Sequence, residues 1–196
     1  MNLRLHPLYK KLLMLAIVIG PIFWLVFTDD GQRRTDRAML YVFGDGGELN
    51  LAIENLSSGM TEPEFRELFP ELKLSCDDGL NPFGDRLCTA EVDDFSGIPA
   101  RAFTLFLSGE ALRAAKLNYR RAYHETLARE LTRRVGSPVP QSLSTPEPVE
   151  GPLSWVVDDG LLLMPPEAPE SDRDAALMWL SEVALQRRRE SGAAGR

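Results

Sequence analysis

The chain is poor in the residues from which most metal and catalytic centres are built: among 196 residues there are two cysteines and two histidines. Two thiols without accompanying histidines fall short of the four ligands of a structural zinc site, and their spacing is not the C-x-x-C of a redox pair. The sequence contains no G-x-S-x-G, no phosphate-binding G-x-x-x-x-G-K, no dinucleotide fingerprint and no H-E-x-x-H. The local signatures of hydrolases, nucleotide-binding enzymes and zinc peptidases are therefore missing. Cations are also the minority, 22 Lys and Arg against 29 Asp and Glu, for a net charge of −7. Such a balance gives no electrostatic footprint for nucleic acid, and solubility accounts for it. From the residues alone no catalytic, cofactor-binding or metal-ligating position is assigned, and no binding surface can be placed.

What the chain does have is a long apolar run. Leu12 to Phe27 reads LLMLAIVIGPIFWLVF, sixteen residues without charge or polar side chain. As a helix it would be about 24 Å long, short of a hydrocarbon core of about 30 Å, with Tyr9 and Thr28 extending it at the interfaces. Trp24 to Phe27 runs straight into Thr28-Asp29-Asp30-Gly31 without the small residues of a signal-peptidase site, and no cysteine follows to carry lipid. Pro21 removes a backbone donor in mid-helix, which membrane helices tolerate better than soluble ones. Arg4, Lys10 and Lys11 precede the run and no acid does, whereas Asp29 and Asp30 follow it at once. The positive-inside rule then predicts residues 1–11 in the cytosol, a single-pass anchor over 12–28, and everything from about residue 29 outside the bacterial inner membrane. The exported part carries about −10, since three of the cations and none of the acids precede the run.

Both cysteines, Cys76 and Cys88, lie on that exported side with eleven residues between them. An isolated pair in an oxidising compartment predicts a disulfide, worth about 3 kcal/mol in the chain-entropy account. The intervening loop offers Asp77, Asn81 and Asp85 as alternate oxygen ligands, but the order and the distant glutamate of a calcium loop are absent. An acidic surface loop is the simpler reading.

The rest of the exported chain reads as α+β, an antiparallel sheet packed by a few helices. Residues 29–37 form a polar tether. Ala38 to Phe43 and Glu48 to Glu54 read as strands around the turn Gly44-Asp45-Gly46-Gly47, which lacks the lysine of a phosphate cradle. Thr61 with Glu64 forms a capping box and Pro63 suits a first turn, so a short helix starts there, with Phe65, Leu68 and Phe69 on one face and Pro70 ending it. Four strands follow, at Leu72 to Cys76, Arg86 to Val92, Ala100 to Leu107 and Ala111 to Tyr119, with turns at Asp77 to Gly79, Asp94 to Pro99 and Ser108 to Glu110. Arg121 to Val135 is a helix with Tyr123, Leu127, Leu131 and Val135 inward, Arg129, Arg133 and Arg134 outward, and Gly136 as its stop. His124, the only exported histidine, is expected to be solvated or to cap that helix. The α+β domain thus covers residues 38–136.

Residues 137–152, with five prolines, form an extended connector. Leu153 to Val157 and Leu161 to Met164 flank Asp158-Asp159-Gly160 as a hairpin with Trp155 against the sheet, and Ser171 is read as the cap of a last helix from Asp172 to about Arg188. That hairpin and helix, residues 153–188, would pack on the domain, with residues 189–196 a disordered tail. Acid pairs such as Asp93 with Asp94 and Asp158 with Asp159 fall in these expected turns, where acids are common anyway.

The segment Leu56-Ser57-Ser58-Gly59-Met60-Thr61 leading into a helix and then strands resembles the L-x-x-G-M-T opening of the SmpA/OmlA family of small envelope lipoproteins. Over about residues 50–119 the pattern is also similar to the β-lactamase-inhibitor-like architecture, a short helical layer on an antiparallel sheet. The resemblance implies scaffolding or protein inhibition rather than catalysis. This chain departs from those lipoproteins in lacking a lipidated cysteine and in adding the cysteine pair and the proline-linked C-terminal unit. The expected function is a membrane-anchored periplasmic protein that recognises an envelope protein or the cell wall, without cofactor, metal or nucleic acid. An accessory or inhibitor module of a periplasmic hydrolase is the alternative, and a hydrolase using unrecognised carboxylates is the third reading. Oligomeric state is left open.

Overall fold

A computed structural model describes residues 7–28, 31, 34–35, 47–139 and 151–187. The chain divides into two units, Met1–Gly44 and Asp45–Arg196. The first holds helix α1, Pro7–Phe27, in which Pro21 is accommodated without ending the helix. The apolar side chains described on it, among them Leu12, Leu13, Trp24, Leu25 and Phe27, are exposed. No helix of the described residues is long and apolar enough to cross a membrane. The helix expected over the apolar run is therefore present, while its uncharged part stays at about 24 Å.

The second unit is α+β, built on one mostly antiparallel sheet. Its strands are β1 Gly47–Leu49, β2 Ser75–Asn81, β3 Gly84–Phe95, β4 Ile98–Ser108, β5 Ala111–Tyr119, β6 Leu153–Val157, β7 Gly160–Met164 and β8 Ala176–Ser181. Their order is β1-β3-β4-β5-β8-β7-β6. β1 runs parallel to β3 and pairs with its C-terminal part, from Val92 to Phe95. β2 pairs antiparallel with the N-terminal part of the same strand, Gly84 to Thr89. The two short strands thus lie end to end along one edge of β3.

Residue alternation fixes the core face. One cross-strand row runs Cys88, Leu105, Ala115, Trp179, Leu162, Trp155, and every member is at most 1% exposed. The adjacent row, Ala90, Phe103, Leu117 and Leu177, is buried as well, at most 2% exposed. On the opposite face the corresponding row is Thr89, Thr104, Lys116, Met178, Leu163 and Ser154, with the Thr89 and Thr104 hydroxyls 3.3 Å apart. Helix α2, Glu62–Leu68, adds Phe65 to the core, its ring stacked on Phe103 at a centroid distance of 5.7 Å. Its capping box forms as the sequence predicts, Thr61 and Glu64 each accepting from the other's backbone N–H. Phe65 and Phe69 pack inward, but Leu68 is 60% exposed. A single-turn 3-10 segment, Arg121–Tyr123, leads into helix α3, His124–Val135, whose Leu127 and Leu131 are buried.

Several expectations are corrected. The strand expected over Glu48 to Glu54 is only three residues long, although Leu49, Leu51 and Ile53 are all buried as its alternation required. Gly47 begins β1 rather than lying in a turn; residues 38–46, with the partner strand of that hairpin, lie outside the described residues. The turn expected at Asp77 to Gly79 is strand, and the chain reverses instead at Pro82-Phe83, where Asn81 Oδ1 accepts from the Phe83 N–H at 2.9 Å. Leu72 and Leu74 are buried core residues before β2 begins, not part of it. The turn between β3 and β4 is Ser96-Gly97, with φ of 51° and 85°, the paired positive values of a tight hairpin turn. Asp93 and Asp94 consequently belong to β3.

The largest correction is at the C-terminus. Residues 176–181 form β8 and not a helix, and only 182–187 are helical. β8 enters between β5 and β7, so the hairpin β6–β7 extends the main sheet. The strand is hydrogen-bonded on both edges, and its burial alternates from Ala176 to Trp179, but Ala-Leu-Met-Trp-Leu is apolar throughout, so the sequence shows no alternation and is equally consistent with a helix. Ser171, read as a helix cap, instead closes a turn: it accepts from the Arg173 N–H and donates to Asp174. Of the connector 137–152, residues 140–150 lie outside the described residues, as does 188–196; Val139 exchanges two hydrogen bonds with Ser154 along β6.

Candidate functional site

The densest polar constellation surrounds the base of the β2–β3 hairpin. Cys76 and Cys88 are directly opposed in the ladder and form a disulfide, their Cα atoms 4.0 Å apart. Cys88 is fully buried, whereas Cys76 is partly exposed. Arg66 of α2 donates to the Leu74 carbonyl at 3.1 Å and approaches Cys76 Sγ at 3.4 Å. Glu62 binds Arg66 at 2.8 Å and Arg86 at 2.9 Å, and Arg86 also binds Asp78 at 2.5 Å. Burial would raise the Glu62 pKa, but the two guanidiniums hold it below its ordinary value. This network ties α2 to both strands of the hairpin. It also explains the register: Arg86 stands opposite Asp78, so the acids expected in a turn lie in a strand.

Donor atoms of Glu62, Cys76 and Cys88 lie within 4.8 Å of one another. The two sulfurs are bonded to each other and both Glu62 oxygens are held by arginines, so the group is not a ligand set as it stands. The three residues weighed for calcium do not converge either: Asn81 accepts from Phe83, and Asp85 Oδ1 accepts from the Gly109 N–H at 2.9 Å.

The motif Leu56 to Thr61 is a clamp. Asp159 Oδ2, in the β6–β7 turn, accepts from the Ser58 N–H at 2.6 Å, the Ser58 hydroxyl at 2.8 Å and the Ser57 hydroxyl at 3.1 Å. Met60 accepts from the Leu112 N–H at 3.0 Å, fastening the same loop to β5. Burial pushes the Asp159 carboxyl up, but these three donors hold it below its ordinary 3.8. A serine hydroxyl against a carboxylate resembles part of a hydrolytic triad, but the one histidine among the described residues, His124, is engaged with Tyr119. Asp159→Ala should cost about 1–3 kcal/mol, since it strands three donors. The carboxylate's contribution is present above pH 3.8 and lost as pH falls through its lower folded value, so wild type and D159A should converge in acid. Denaturant midpoints measured at pH 7 and pH 3 check this.

His124 is the position that sequence reasoning misplaced. It is 4% exposed, its Nδ1 2.8 Å from the hydroxyl of fully buried Tyr119. A second hydrogen bond reaches the Pro166 backbone, and because proline has no N–H the imidazole must donate to its carbonyl. The neutral ring with its proton on Nε2 satisfies both contacts, Tyr119 donating to Nδ1. Burial lowers the His124 pKa, opposed by the Pro166 bond and by Glu125, and burial raises that of Tyr119. A solvated histidine is what an α3 N-terminus suggests, but here the 3-10 turn before it rotates the ring inward. Unfolded chains bind a proton near pH 6.5 that the folded chain refuses, so stability should fall as pH drops below that value. Comparing denaturation midpoints at pH 8 and pH 5.5 tests this, and His124→Phe should flatten that part of the profile.

Among the arginines expected to face solvent, Arg134 instead pairs with Glu54 at 2.5 Å, and Arg133 pairs with Glu130. No protein-family model, curated protein or solved structure matches the chain.

Proposed function

We propose that the protein is a single-pass anchored protein of the bacterial inner membrane whose α+β unit lies on the periplasmic side and recognises another envelope component. The observation that carries this reading is α1: a helix whose described apolar side chains are exposed, in a chain whose only cysteines form a disulfide. Apolar surface of that extent needs a nonaqueous environment. The uncharged stretch alone is short, but all 21 residues of α1 reach about 32 Å. Lys10 and Lys11 can bury their stems and keep their ammonium groups among the headgroups. An oxidised cysteine pair supports export on independent chemical grounds.

Recognition rather than catalysis is supported by how the polar groups are spent. Ser57, Ser58, Asp159, Tyr119, His124 and the Glu62 network each hold one element to another. The resemblance of Leu56 to Thr61 to the small envelope lipoproteins points the same way, as does the helical layer on an antiparallel sheet. An inhibitor or accessory module of a periplasmic hydrolase would use the same surface recognition, with the anchor raising effective concentration at the membrane. In-cell crosslinking of the full-length protein followed by mass spectrometry is the test. A stoichiometric envelope partner is the expected result, and turnover of wall fragments abolished by one Asp or Glu substitution would overturn it.

A further inference from the structure

The β2–β3 hairpin has one edge without a strand partner among the described residues. Among the described residues β2 pairs only with β3, and Ser75, Asp77, Asp78, Gly79 and Leu80 are all exposed. A separation of 4.0 Å between the Cys76 and Cys88 Cα atoms marks the narrow, non-hydrogen-bonded kind of antiparallel pair. The N–H and C=O of Cys76 therefore point away from β3, and by the two-residue period those of Asp78 do so too. Leu80 is 97% exposed, an apolar side chain on this edge that contributes nothing to the core. The edge is also held in place beforehand: the disulfide and the Arg86 ion pairs fix its base, the Asp85 to Gly109 bond and the edge-on contact of Phe83 with Phe106 fix its tip.

We propose that the β2 edge is the docking site of the domain, and that its occupant is an extended segment of a partner protein carrying Lys or Arg beside an apolar residue. The backbone groups of Cys76 and Asp78 would join the added strand, Asp77 selects its basic residue while Asp78 stays on Arg86, and Leu80 covers its apolar one. A second copy of this chain is disfavoured as occupant, because antiparallel pairing of two β2 edges sets Asp77 and Asp78 against their own counterparts. Rigidity before binding reduces the ordering cost of association.

The proposal deepens the binding reading and depends on it. The test places a photo-crosslinking residue at position 80, and separately at Val156, which is 64% exposed on β6, in the full-length anchored protein in cells. The crosslinked peptides are then sequenced. The expected result is a crosslink from position 80 to a basic, extended segment of another protein, reduced about tenfold by Asp77→Lys. Asp77 has no part in the Arg86 network, so this variant should fold normally, as its denaturation midpoint checks. Crosslinks from position 156 alone overturn the β2 edge while leaving recognition intact. A crosslink from position 80 to β2 of a second copy overturns the choice of occupant, and crosslinks from neither position overturn both readings.

Discussion

Replacing Trp179 by alanine is expected to cost about 3–5 kcal/mol, a large part of the stability of a domain of this size. Trp179 is fully buried at the middle of β8, between Ala115 of β5 and Leu162 of β7. Removing it opens a void where the C-terminal hairpin joins the rest of the sheet. Trp179→Phe should cost much less. The indole N–H is buried with no acceptor among the described residues, so phenylalanine removes an unsatisfied donor while keeping most of the ring volume. A helix at residues 176–181 packed on the outside of the domain would not produce this contrast. Equilibrium denaturation of both variants, with the shift in midpoint read against wild type, separates the two arrangements.

The second large effect is expected from the double variant Cys76→Ala with Cys88→Ala, which should lose about 2–4 kcal/mol. The closed loop spans 12 residues, but the consequence extends beyond loop entropy. Cys76 lies beside Arg66, and Arg66 shares Glu62 with Arg86, so loosening β2 also loosens the ion-pair network that holds α2 against the hairpin. Chemical unfolding of the oxidised protein and of the variant measures the loss. In the unreduced, denatured protein neither cysteine should react with an alkylating reagent; reaction of both would mean that no disulfide forms.

The parts of this fold that could be read from the sequence are those where one local rule acts without competition. Thr61, Pro63 and Glu64 define a helix start by their side-chain chemistry alone, and the capping box forms as written. Ala111 to Tyr119 alternates and follows a glycine turn, and β5 has those bounds. The cysteine pair needed only its isolation and its side of the apolar run. Elsewhere tertiary structure decided. β8 carries leucine, methionine and alanine, which favour helix, yet insertion between two strands outweighs that preference. β2 continues through Asp77-Asp78-Gly79 because Cys88 and Arg86 on the neighbouring strand set the register, and no local signal in those three residues reports it.

His124 shows the same limit at the level of a side chain. Its partners, Tyr119 five residues earlier and Pro166 far along the chain, meet it only once the sheet is assembled. Asp159 likewise acquires its role from Ser57 and Ser58, about a hundred residues away, so an acid in a glycine turn could be read only as a turn former. The serines of the Leu56 to Thr61 segment are the other half of that clamp. The β2 edge left no sequence signal at all, since exposed acids and one leucine are unremarkable until the strand that bears them is seen to have an edge without a partner among the described residues.

The measurement that bears most directly on the account is the topology of the full-length chain, read from a reporter enzyme fused after Arg196 that is active only outside the inner membrane. Residues beyond α1 are expected outside, so the fusion should be active and should remain with the membrane fraction after alkaline carbonate washing. An inactive fusion would contradict the exported disulfide domain, and an active fusion released by the wash would contradict the anchor formed by α1.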